Sequence, residues 1–128
     1  MGKPLILCVD DEIGILDEVA EELIFSGFDV VCQTNGVDAF DYLQSLRDHD
    51  LAPSVIVCDV RMPLLDGFSL RRKMLSEMPD RCAIPFVLLT ALEHDLNQEL
   101  CGDLKVAASL PKPFELDALV ETVRRLIP

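Results

Sequence analysis

Aromatic side chains are scarce in this 128-residue chain, which has no tryptophan, one tyrosine and six phenylalanines. Half of the residues are nevertheless apolar, so a core has to be built from layers of Val, Ile and Leu, as in a helix-covered parallel sheet. Basic residues are also few. Eleven Lys and Arg stand against 23 Asp and Glu, giving a formal net charge of −12. That is the wrong sign for nonspecific nucleic-acid binding, which needs clustered cations to displace counterions from phosphates. No apolar run is long enough to cross a membrane. Met1, Gly2, Lys3 and Pro4 lead straight into a strand, without the apolar stretch and small-residue cleavage site of a signal peptide. The five cysteines, Cys8, Cys32, Cys58, Cys82 and Cys101, form no CxxC pair and have no histidine pair nearby, which removes zinc and dithiol motifs. Their odd number disfavours a full disulfide framework, and a reducing cytoplasm is the expected setting. Cys8, Cys32 and Cys58 fall in apolar strand segments, where a free thiol behaves as a small hydrophobe. His49 and His94 read as exposed histidines.

Linkers, low-complexity stretches and tandem repeats are missing as well, and 128 residues fit one domain with a real core. What remains is an alternation of strands and helices. Leu5 to Val9 is a continuous apolar run, the signature of a strand buried on both faces. Ile13, Leu16, Ala20, Leu23 and Ile24 then recur at helical spacing, with Gly27 as a stop. Phe28 to Gln33 reads as a second strand, followed by cap candidates Thr34 and Asn35 and a helix carrying Ala39, Phe40, Leu43 and Leu46. After a loop over Asp48 to Pro53, Val55 to Cys58 forms a third strand. The Asp66-Gly67 pair precedes a helix bearing Phe68, Leu70, Met74 and Met78, ended by Pro79. Phe86 to Leu89 is a fourth strand. Leu92, Leu96, Leu100 and Leu104 outline a weak helix interrupted by Gly102, where glycine costs roughly 1 kcal/mol against alanine. Val106 to Leu110 and a helix over Phe114 to Ile127, apolar at Leu116, Leu119, Val120, Val123 and Leu126, complete five βα units. Right-handed crossovers then give a three-layer, doubly wound (βα)5 domain. The expected parallel sheet order is 2-1-3-4-5, the flavodoxin-like arrangement.

In such a sheet the residues just past the strand ends converge in one crevice. Here they are Asp10, Asp11 and Glu12 after the first strand, Asp59 after the third, Thr90 after the fourth and Lys112 after the fifth. Close carboxylates repel by roughly 4 kcal/mol per pair at 4 Å and an effective dielectric of 20, so they call for a cation. All-oxygen ligands with positions left for water and phosphate suit Mg²⁺ better than a full Ca²⁺ cage. Asp59 stands alone at the end of the central strand and is the best nucleophile candidate, since carboxylates do form aspartyl phosphates. Lys112 and the Thr90 hydroxyl can contact the phosphoryl oxygens. Singly, each of these residues has an ordinary structural role as a turn former, a strand-end hydroxyl or a solvated amine. Their joint occurrence at four strand ends is what points to chemistry.

The stretches Val9-Asp10-Asp11-Glu12, Asp59-Val60-Arg61-Met62-Pro63-Leu64-Leu65-Asp66-Gly67, Thr90-Ala91 and Lys112-Pro113-Phe114 resemble the receiver domains of two-component response regulators, including chemotaxis regulators, in order and spacing. The resemblance covers residues 1–128 as a single receiver domain. It implies that Asp59 accepts a phosphoryl group from a histidine kinase or phosphotransfer protein. Asp10, Asp11, Asp59 and the backbone carbonyl of Arg61 would hold Mg²⁺, with Thr90 and Lys112 on the phosphoryl group and a cis Lys112-Pro113 bond. It also implies a signalling protein and not an enzyme, with an output protein or domain as a second partner and no direct contact with nucleic acid or membrane. One position departs from the pattern. The family usually carries Tyr or Phe three residues before its lysine, where this chain has Ser109. The signal is therefore expected to leave through Ala91 to Lys105. Arg61 and Leu92 border the site where the family tunes phosphoryl lifetime.

Three other readings use the same fold. A haloacid-dehalogenase-type phosphatase carries its nucleophile after the first strand with a second Asp two residues on, whereas Asp10 is followed directly by Asp11. A flavodoxin-like cofactor module would want Gly, Ser, Thr and helix N–H groups in the first loop, which instead holds three carboxylates. A receiver-like interaction module that is never phosphorylated would not need the complete acid, Thr and Lys set. No DNA-binding or catalytic segment follows Ile127, so either a stand-alone receiver or part of a longer protein is expected.

Overall fold

Alternating side chains along three wholly buried strands divide the apolar residues between two cores. The computed structural model describes residues 2–91 and 102–127. Among these, the elements in chain order are β1 (Leu5–Val9), α1 (Ile13–Phe25), β2 (Asp29–Gln33), α2 (Gly36–Ser45), β3 (Val55–Asp59), α3 (Gly67–Glu77), β4 (Phe86–Thr90), β5 (Ala108–Pro111) and α4 (Leu116–Leu126). The strands form one parallel sheet in the order β2-β1-β3-β4-β5, as the sequence predicts. Ile6, Cys8, Val55, Val57, Val87 and Leu89 face α1 and α4. Leu7, Val9, Ile56, Cys58, Phe86 and Leu88 face α2 and α3. With both faces covered, the continuous apolar runs in β1, β3 and β4 are explained.

Several boundaries shift for local reasons. Phe28 does not open β2. Gly27, at φ 103, ends α1 in a Schellman motif in which the Gly27 N–H donates to the Ile24 carbonyl and the Phe28 N–H to that of Leu23. Phe28 is thereby turned into the core. The buried stripe of α1 is Leu16, Val19 and Leu23, while Ile13 and Ile24 are exposed. Asn35 caps α2 by accepting from the Asp38 N–H at 2.8 Å, and Asp66 caps α3 by accepting from the Ser69 N–H at 2.7 Å. β5 starts at Ala108, two residues later than expected, and α4 is shorter than the 114–127 span. Cys8 and Cys58 are buried as expected, but Cys32 is exposed because β2 is an outer strand of the sheet. Leu92, His94, Leu96, Leu100 and Cys101 lie outside the described residues, as does most of the Ala91 to Lys105 segment.

Candidate functional site

β1 and β3 are neighbours although they are not consecutive, and this crossover brings Asp10 beside Asp59. Asp59 is the last residue of β3, and Asp10 follows β1 directly, its N–H donating to the Gln33 carbonyl. Both are buried, at 4% and 2% exposure, whereas Asp11 is exposed. One carboxylate oxygen from each of Asp10, Asp11 and Asp59 lies within 4.8 Å of the others. The Glu12 N–H donates to Asp10 Oδ1 at 2.9 Å and fixes that carboxylate's orientation.

Lys112 closes the cluster from the opposite side of the site. β5 pairs with β4, and the Lys112 N–H donates to the Thr90 carbonyl at 2.7 Å, so the lysine leaves its strand next to the end of β4. The Lys112-Pro113 peptide is cis, as the resemblance implies. Lys112 Nζ donates to Asp10 Oδ2 at 2.9 Å and to Asp59 Oδ2 at 3.1 Å, with Glu12 Oε1 at 3.5 Å on the solvent side. Thr90, 2% exposed, ends β4 beside this group.

The electrostatics follow from that geometry. Burial first, and then the charge of Asp10, push the Asp59 carboxyl up to about 6 against the pull of Lys112. For Lys112 burial works against the charged form, but the hydrogen bonds and charges of Asp10 and Asp59 outweigh it and hold the ammonium above its usual range. One ammonium thus serves two buried carboxylates and leaves net negative charge. Three converging carboxylates are a hard, all-oxygen donor set that fits Mg²⁺. The sequence-derived residues Asp10, Asp11, Asp59, Thr90 and Lys112 all come to this one edge of the sheet. Arg61 lies two residues beyond Asp59, in the loop between β3 and α3. On the side of Lys112, a cavity of about 380 Å³ is lined by Ile15, Val19, Pro113, Phe114 and Leu116 together with Glu12 and Lys112 of the site.

Two features escaped the sequence reading. Glu12 reaches Lys112 across the mouth of the site, an interaction hidden because the residues are 100 positions apart. Arg71, 2% exposed within α3, donates to the carbonyls of Leu104, Cys82 and Lys105 and lies 5.4 Å from the Phe86 ring centroid. Its three-residue spacing from buried Met74 was the available signal.

Comparison with known proteins agrees with this arrangement. The family model for the response regulator receiver domain matches residues 6–124. The response regulator MprA of Mycobacterium avium is 36% identical over 124 residues, covering 95% of this chain and 50% of that protein. The chain thus spans about half the length of the curated relatives it matches. Among solved structures, the receiver domain of Francisella response regulator 1452 is 27% identical with a TM-score of 0.83, covering 96% of this chain and 95% of that one. The chemotaxis response regulator CheY4 of Vibrio cholerae is 26% identical with a TM-score of 0.84, covering 98% and 99%.

Proposed function

Because the chain belongs to the response regulator receiver domain family, we propose that residues 1–128 form one receiver domain that accepts a phosphoryl group on Asp59. The observation that carries this reading is the group made by Asp59, Asp10 and Lys112, with Lys112 Nζ at 3.1 and 2.9 Å from the two carboxylates. In the transfer, an Asp59 carboxylate oxygen forms a bond to phosphorus as the bond to the donor's histidine nitrogen or acyl oxygen breaks. Asp59 has to be ionised to attack. Lys112, already charged, moves its hydrogen bond from Asp59 to a phosphoryl oxygen, and the Thr90 hydroxyl donates to another. Asp10, Asp11, Asp59 and the Arg61 carbonyl would hold Mg²⁺, which when bound neutralises charge between the carboxylates and the incoming anion.

The donor is a histidine kinase or phosphotransfer protein, and the phosphorylated domain acts on an output protein or domain without itself binding nucleic acid or membrane. Asp59 is a stoichiometric acceptor and not the centre of a turnover enzyme. Among the described residues no helix is long and apolar enough to cross a membrane. A cytoplasmic setting is part of the proposal, supported by the free thiols of Cys8, Cys32, Cys58 and Cys82. Intact-mass analysis after incubation with acetyl phosphate tests the reading. One phosphoryl group is expected on the wild type with Mg²⁺ and none with chelator or on Asp59→Asn. Equal labelling in all three would overturn it, and no labelling of the wild type would favour an unphosphorylated interaction module.

A further inference from the structure

The C-terminal end of the loop joining β3 to α3 is crowded by two glycines that other parts of the backbone touch. At Gly67, the first residue of α3, an added Cβ would lie 2.5 Å from the Asp59 carbonyl oxygen. At Gly36, the first residue of α2, it would lie 2.1 Å from the Leu65 carbonyl oxygen and 2.8 Å from the Leu65 Cβ. These neighbours are mostly backbone and cannot rotate away. Gly36 does not have a positive φ, so it is space and not backbone conformation that requires a glycine there. The loop between these contacts is otherwise firmly held. The Val60 N–H donates to the Leu89 carbonyl, the Gly67 N–H to that of Val60 and the Leu65 N–H to that of Pro63. Leu64 sits at φ 70. A push at Leu65 thus bears on a short loop that is pinned at Val60, next to Asp59, and at Gly67.

We propose that Gly36 is a positioning residue for phosphoryl transfer: by lacking a side chain, it lets α2 serve as the backstop against which the Asp59 to Leu65 loop is seated. The inference rests on Asp59 being the phosphoacceptor with Mg²⁺ beside it. α2 contributes no atom to the reacting group, yet its first residue determines how closely the loop can approach the carboxylates. Restoring an ordinary contact from 2.1 Å requires a displacement of about 1 Å, and shifts of that size in groups supporting a metal or a reacting atom cost roughly tenfold to a hundredfold.

The test is Gly36→Ala, with Gly14→Ala as control because nothing lies within 4 Å of a Cβ at Gly14. Mg²⁺ affinity is read by calorimetric titration, folding by circular dichroism and the rate of acetyl phosphate labelling by intact mass. Gly36→Ala should remain folded, bind Mg²⁺ at least roughly tenfold more weakly and be labelled correspondingly slowly, while Gly14→Ala matches the wild type. Wild-type affinity and rate in a folded Gly36→Ala would overturn the inference and leave the phosphoacceptor reading standing. A wild type that neither binds Mg²⁺ nor is labelled would overturn both. Should Gly36→Ala fail to fold, Leu65→Gly decides, since it removes the side chain that packs the loop onto the α2–α3 core while leaving Gly36 in place. Weaker Mg²⁺ binding is then expected, and unchanged binding would overturn the inference.

Discussion

Replacing Asp59 by Asn should make the metal-free protein more stable at neutral pH, although it destroys the proposed phosphoacceptor. In the folded chain the carboxyl is pushed up to about 6 from an ordinary 3.8 by burial and by Asp10. The folded state therefore binds this proton more tightly than the unfolded state. The domain loses stability as pH rises from about 4 through 6, and the whole penalty is present above that. Two units correspond to about 3 kcal/mol, which solvent screening at the mouth of the site reduces to about 1–2 kcal/mol. Asn keeps an oxygen for Lys112 without the charge, and Lys112 retains Asp10 at 2.9 Å. In chelator at pH 8 the variant should melt roughly 3–8 °C higher than the wild type. At pH 5 the gap should be about half as large, because half the titration interval has been crossed. Adding Mg²⁺ should narrow the gap by stabilising the wild type more. Thermal melts followed by circular dichroism from pH 5 to 8 would check this. A variant less stable than wild type in chelator, or a gap that ignores pH, would refute the assignment of strain to the Asp59 charge.

Lys112→Ala should destabilise the metal-free domain by about 1–3 kcal/mol at pH 7.5, since two buried carboxylates lose their shared ammonium. Urea unfolding should find a smaller loss in the Asp59→Asn background, and equal losses would argue against coupling between the two residues. Arg71→Ala should cost about 2–4 kcal/mol by the same assay, because the carbonyls of Cys82, Leu104 and Lys105 lose their donor. A maleimide reagent should modify exposed Cys32 in the native protein but reach Cys8 and Cys58 only after denaturation. Burial also raises both buried thiols above their usual range. A native disulfide found by mass spectrometry would contradict the free-thiol assignment.

The parts of this protein legible in its sequence are those governed by local pattern. Leu5 to Val9, Val55 to Cys58 and Phe86 to Leu89 are apolar at every position, which in segments this short signals strands covered on both faces. Once those strands are parallel, the identities of Asp10, Asp59, Thr90 and Lys112 at their ends are enough to propose a chemistry. The cap of α2 was legible for the same reason, because Asn35 acts on an amide three residues away, whereas Asp66 read only as a turn former and caps α3. Only the tertiary structure decided the rest. Cys32 looks like a core residue by its neighbours and is exposed because its strand is an outer one. Arg71 begins the basic run Arg71-Arg72-Lys73, yet it is buried and donates to carbonyls more than 30 residues distant. Lys112 reaches Asp10 across 102 residues, and Gly36 meets Leu65 only because two helices begin at the same edge of the sheet. Periodicity reports which face of an element is apolar, a property of a few adjacent residues. The neighbour that covers the face, and how closely it approaches, is fixed by packing between segments that the chain keeps far apart.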